Sequence, residues 1–194
     1  ILLAWNGGIE VRGWWFILGT SFIHLLYFLF LSRSYIHADF SLVYPLARGT
    51  GPALIPLLGV GLLDEKMTIL AIFGVATIVG GIFTAYWWGH VFEIVTKPLK
   101  FLKDPGPRYA LLTGVTIAGY SVWDKVGVDY VNPLLYMYLL SLGTATGLVP
   151  YILWKYDVRT IGAELRSNKW PILGAGVLTF IAYAAVLSAL QFSN

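Results

Sequence analysis

Apolar side chains run along this chain in long blocks separated by short polar clusters. Six blocks are long enough to matter: residues 14–32, 42–63, 67–88, 108–128, 133–154 and 170–190. A bilayer core about 30 Å thick is crossed by roughly 20 helical residues at 1.5 Å each. Strands of a membrane barrel would alternate apolar and polar positions. Stretches such as residues 22–31 do not alternate. Backbone N–H and C=O groups in lipid must pair within the segment, which leaves helices. The pattern therefore predicts an all-α, polytopic membrane helix bundle with six crossings.

The polar clusters set an orientation. On one side the loops hold Arg12, Lys66 and Lys125. The opposite side holds nine basic residues: Arg33, then Lys97, Lys100, Lys103 and Arg108, then Lys155, Arg159, Arg166 and Lys169. By the positive-inside rule the second side faces the cytoplasm. Composition agrees with the membrane reading. Hydrophobic residues make up 58% of the 194 and charged residues only 12%, against about 25% charged in soluble domains. A net charge of +3 in this setting reports topology, so no nucleic-acid partner is expected. Cysteine is absent, which excludes disulfide frameworks, cysteine metal sites and thiol nucleophiles. The chain opens on an apolar stub, residues 1–5, with no basic region or cleavage site before it. The stub reads as the cut end of a helix rather than a signal peptide, and the expectation is a fragment at both ends.

A shift of 156 residues aligns the first block with the sixth. Trp14 meets Trp170, Tyr27 meets Tyr183, Leu31 meets Leu187 and Ser32 meets Ser188. Five crossings separate the two blocks, so related helices would run in opposite directions. Inverted repeats of this kind are a common plan of secondary transporters.

Arg48 is the strongest single chemical signal. It sits six residues into the second block, about 9 Å below the cytoplasmic end. Tyr44, Arg48 and Pro52 are spaced i, i+4, i+8 and share a face. Pro52 cannot donate to the carbonyl of Arg48, nor Pro56 to that of Pro52. Freed carbonyls with Gly49 and Gly51 nearby suit a broken helix lining a cavity. The plainer alternative is that Arg48 snorkels to the headgroups. Asp124 is the second signal, on one face with Thr116 and Tyr120 near a helix C-terminus, where a carboxylate opposes the helix dipole. Lys125 beside it is the plain counter-charge. Asp124 lies about 24 Å from the cytoplasmic end, so a direct pair with Arg48 is not expected; the two would mark different ends of one pathway. His24, midway along the first block with Thr20 and Tyr27 on roughly its face, can relay protons, bind substrate or simply bond a neighbouring helix.

Gly143-x-x-x-Gly147 and Ala47-x-x-x-Gly51 permit close helix approach. Trp14, Trp15, Trp87, Trp88, Trp154 and Trp170 fall at block ends, where an aromatic belt accounts for them. No Walker, His-Glu-x-x-His or Gly-x-Ser-x-Gly motif is present, which argues against ATP-driven transport or an intramembrane enzyme.

Three stretches carry a resemblance: Ser32 to Pro52 with its Tyr-Pro-Leu-Ala-Arg-Gly core, Leu62-Leu-Asp-Glu-Lys-Met67, and Tyr120-Ser-Val-Trp-Asp-Lys-Val-Gly127. They resemble EamA-like transporters of the drug/metabolite transporter superfamily. The resemblance implies ten helices in two inverted five-helix repeats, of which this chain holds the third to eighth. Residues 1–88 would end the first repeat, 89–107 form a basic cytoplasmic loop, and 108–194 begin the second. It implies a multi-pass protein of the inner (plasma) membrane that is not an enzyme and has no cofactor and no metal. Such a protein moves a small polar or amphipathic molecule by secondary-active or facilitative transport; Asp124 and His24 are the candidates for proton coupling. The expected substrate pathway is Arg48, Tyr44, Pro52, His24, Tyr120 and Asp124. An intramembrane enzyme and a non-transporting membrane scaffold are the competing classes.

Overall fold

A computed structural model describes residues 9–64, 66–87 and 103–191. Among these residues every regular element is a helix: α1 (Val11–His37), α2 (Phe40–Leu63), α3 (Ile69–Trp87), α4 (Pro105–Gly127), α5 (Pro133–Lys155), α6 (Val158–Ser167) and α7 (Lys169–Gln191). The stub at residues 1–5, Trp88 and most of the basic loop at 89–107 lie outside the described residues.

Local chemistry sets the helix ends. Asn132 accepts the N–H of Leu134 with Pro133 in the first turn of α5, which satisfies an orphan donor and pre-sets the backbone. Thr68 accepts the N–H of Ala71 at 3.2 Å and so opens α3. Asp64 ends α2 in a left-handed conformation, φ 54°, its N–H bonded to the Gly59 carbonyl. α6 is an unforeseen element. Asp157 accepts the N–H of Arg159 at 3.2 Å and starts it. Its ten residues include Arg159, Glu164 and Arg166 and are largely exposed, so it forms no long apolar block. A second correction concerns α2. The prolines at 45, 52 and 56 do not break it; the helix is continuous through all three.

The surface is inverted relative to a soluble protein. Trp15, Leu18, Phe22, Leu70, Phe73, Trp154, Trp170 and Leu178 are exposed, while Thr20, Ser21, His24, Ser34, Thr113, Thr116, Asp124 and Thr144 are buried. Each large apolar side chain left in water forgoes about 1.5–3 kcal/mol. Eight would together forgo about 12–24 kcal/mol, as much as or more than a typical net stability of about 5–15 kcal/mol. The exposed faces need lipid. Four helices, α1, α2, α5 and α7, are long and apolar enough to span a membrane by length and composition. α3 spans 19 residues, Ile69–Trp87, and is the most apolar of the helices, with its described apolar stretch at Ile69–Ile82. α4 has the length, 23 residues, but carries Arg108, Asp124, Lys125 and several hydroxyls, of which Thr113, Thr116 and Asp124 are buried. The chain is a helical membrane protein.

Packing divides the chain into two compact units. One comprises Ile1–Leu25 with Trp123–Asn194. Its core is Ile17, Val128, Val131, Leu135, Tyr136, Met137, Leu140, Ala184 and Leu187. A Cβ on Gly143 would collide with Ser21, and one on Gly147 would come within 3.1 Å of Leu25. The Gly-x-x-x-Gly face is thus where α1 and α5 touch closely. The other unit is Leu26–Val122. Val43, Leu46, Ala47 and Ala110 form its core, with Leu31, Ala38 and Leu111 against them. A Cβ on Gly114 would meet Thr50 and, at 3.2 Å, the Ala47 carbonyl, so α2 and α4 meet at backbone distance.

Candidate functional site

The first polar centre lies in the unit that contains the chain ends. α1 turns Gly13, Ile17, Thr20, Ser21 and His24 inward, a stripe at 3.6-residue spacing that becomes polar midway. Asp124, in the last turns of α4, is fully buried. Each carboxylate oxygen accepts one tyrosine hydroxyl. Tyr136 of α5 donates to Oδ1 at 2.8 Å, and Tyr183 of α7 donates to Oδ2 at 2.5 Å. Gly127 makes the first bond possible, since a Cβ there would strike the Tyr136 ring and hydroxyl. The His24 ring stands edge-on to Tyr183 with centroids 5.5 Å apart. Its Nδ1–H donates to the Thr20 carbonyl at 3.0 Å, and Thr20 Oγ1 lies 3.1 Å from the same nitrogen. The carbonyl can only accept, so the proton of that bond belongs to Nδ1. The Thr20 hydroxyl and His24 are also close enough to act on the carboxylate.

This arrangement can do two things. It holds a charged carboxylate in a dry place by surrounding it with O–H donors, because an unpartnered buried charge costs several kcal/mol. It also places a histidine, a threonine and two tyrosines where a proton can pass to or from the acid. Hydroxyl donors meet Asp124 at both oxygens.

The second centre lies in the other unit. Arg48, on α2, is exposed. Its Nη2 donates to the Tyr27 hydroxyl at 3.2 Å. The guanidinium carbon lies 5.9 Å from the Tyr27 ring centre and 6.0 Å from that of Tyr44, at the edge of cation–π range. Tyr120, buried on α4, meets the Tyr27 ring edge-on at 6.0 Å. The structure thus groups Arg48, Tyr44 and Tyr120 around Tyr27, and groups His24 with Asp124. Pro52 is half-buried on α2 and enters neither group through a described contact. Sequence reasoning missed Tyr136 and Tyr183 as partners of Asp124. The signal for Tyr183 was present in the 156-residue register that pairs it with Tyr27; no pattern in the sequence points to Tyr136. Among the described residues no group of three His, Asp or Glu side chains could hold a metal ion.

Residues 4–78, less than half of the chain, match the family model described as Small Multidrug Resistance protein. No curated protein matches, and no solved structure matches. With the apolar helices, the family match supports a membrane transporter of small compounds.

Proposed function

We propose that the chain carries a small polar or amphipathic metabolite across the inner (plasma) membrane. It works as an EamA-like member of the drug/metabolite transporter superfamily, by alternating access between two inverted repeats, with solute movement coupled to protons at Asp124. One observation carries the reading. A fully buried carboxylate sits in a cage of tyrosine hydroxyls, in a protein whose outer surface is apolar. Ionisable groups at such positions are costly and mark ion or substrate pathways. Deprotonated, Asp124 draws in both hydroxyls; protonated, it becomes a donor itself and one of those bonds must be rearranged. That is a local two-state element of the kind a transport cycle needs. His24 and Thr20 stand beside it as the proton route.

The pathway residues follow from this. Asp124 and His24 serve coupling, while Arg48, Tyr44 and Tyr120 with Pro52 serve the solute. Lys155 to Lys169, which includes α6, faces the cytoplasm. A single cysteine at Gly162 is expected to resist an impermeant thiol reagent in intact cells, and one at Asp64 to react. The reverse pattern would overturn the orientation.

The test of function is uptake into proteoliposomes of a radiolabelled panel of amino acids, organic acids, aromatic amines and quaternary ammonium compounds. At least one member is expected to enter faster than into protein-free liposomes, with the excess lost in Asp124→Ala. No excess for any member would contradict transport.

A further inference from the structure

Arg48 heads a row of aromatic rings that the transport reading does not by itself require. Tyr35, near the end of α1, stacks on Phe40 at 5.6 Å and 16°. Phe40 stacks on Tyr44 at 5.0 Å and 20°. Tyr44 in turn faces the Arg48 guanidinium. Phe40, Tyr44 and Arg48 are four residues apart along α2 and form one stripe about 12 Å long. Tyr35, Phe40 and Tyr44 are all exposed, so the row is open along its length.

The charge at its head is held but not neutralised. A guanidinium has five N–H donors. Among the described residues Arg48 makes one hydrogen bond, to the Tyr27 hydroxyl, and no carboxylate pairs with it. Ring faces attract a cation and leave its charge in place. A planar fork with free donors matches a carboxylate, sulfonate or phosphate in two-point fashion. The stacked rings beyond it offer a flat apolar bed. A cation would meet repulsion at Arg48, and a neutral solute would leave those donors without a charged acceptor.

We infer that Arg48 and the Tyr44–Phe40–Tyr35 row bind amphipathic anions, the acidic group on Arg48 and the apolar or aromatic body along the rings. This rests on the transporter reading for its purpose but not for its chemistry. The same group on an amphipath is offered by two sources, a dissolved organic anion or the headgroup of an anionic lipid.

The test is calorimetric titration of the purified protein with three probes of one shape: 2-naphthalenesulfonate, the neutral 2-naphthalenesulfonamide and a naphthylmethyl-trimethylammonium salt. The sulfonate is expected to bind about tenfold or more tighter than the other two, a difference of about 1.4 kcal/mol. Arg48→Ala and Arg48→Gln are expected to erase that preference. Arg48→Lys, which keeps the charge and loses the fork, is expected to weaken it partly. Phe40→Ala is expected to weaken the sulfonate severalfold, as loss of a stacking partner does, while leaving inorganic phosphate unaffected. Repeating the titration in nanodiscs separates the sources. Competition by phosphatidylglycerol but not phosphatidylcholine assigns the site to lipid headgroups, and equal binding in both assigns it to solutes. Sulfonate binding unchanged in Arg48→Ala, or tighter binding of the ammonium probe, would overturn the inference. Failure of solute uptake with the Arg48-dependent preference intact would remove the transport reading alone.

Discussion

Asp124 and Arg48 each hold a tyrosine, and the two tyrosines correspond in the 156-residue register: Tyr183 with the acid, Tyr27 with the base. The environments are opposite. Asp124 is fully buried, and each of its oxygens accepts a hydroxyl. Arg48 is exposed and, among the described residues, has one hydrogen bond and two ring faces. The difference follows from what each charge can tolerate. A buried carboxylate must have donors at both oxygens or be neutralised, so its surroundings are fully committed and any change there is costly. A guanidinium on a long stem can keep its head at a polar boundary and retain donors for something else. On the proposed reading the first centre switches and the second receives.

Substitutions can break this contrast. The largest effect is expected for Asp124→Ala. It removes the carboxylate that accepts from Tyr136 and Tyr183 in a buried site, while Tyr136 keeps its 3.3 Å bond to the Phe16 carbonyl. At about 1–3 kcal/mol for each bond lost, the melting temperature in detergent should fall by several degrees. Arg48→Ala, on an exposed surface, should stay within about 0.5 kcal/mol of the parent. Equal losses for the two would show that the centres do not differ in commitment.

Gly127→Ala comes next. Its Cβ enters the space of the Tyr136 ring and hydroxyl, and overpacking of this kind costs about 1–3 kcal/mol. The effect should largely vanish when Tyr136→Phe is already present, a coupling that a double-mutant cycle measures. Tyr183→Phe removes one bond to a charged acceptor and should cost about 1.5–3 kcal/mol. Tyr27→Phe removes a bond whose donor is exposed and should cost least, about 0.5 kcal/mol. A Tyr27 loss equal to that at Tyr183 would erase the asymmetry between the corresponding tyrosines.

Much of the architecture was legible because apolar block length maps directly onto helix length in a bilayer. All six blocks became helices, with ends displaced by a few residues where capping governs, as Thr68 does for α3 and Asp104 for α4. α6 escaped because a ten-residue, largely exposed helix with three charged residues has no long apolar block. α2 was expected to break because its prolines are visible in sequence, yet the helix runs through all three. Asp124 and His24 could each be singled out as isolated polar residues in apolar blocks. That they share one site could not, since it depends on which helices pack together. The partners of Asp124 were hidden for the same reason. Tyrosines are so frequent here, twelve in the chain, that neither Tyr136 nor Tyr183 stands out until the fold brings them to the acid.

The central claim is that Asp124 couples solute movement to protons, and Asp124→Asn tests it most directly. Asparagine fills the same space and still offers bonds to both tyrosine hydroxyls, so folding should survive while the titratable group is gone. In proteoliposomes loaded with a pH-sensitive dye, the parent protein should move protons across the bilayer when its transported solute is added. Its uptake rate should also change with an imposed pH gradient. Asp124→Asn should show no solute-dependent proton movement and an uptake rate indifferent to the gradient. Proton movement of parental size in Asp124→Asn would contradict the account.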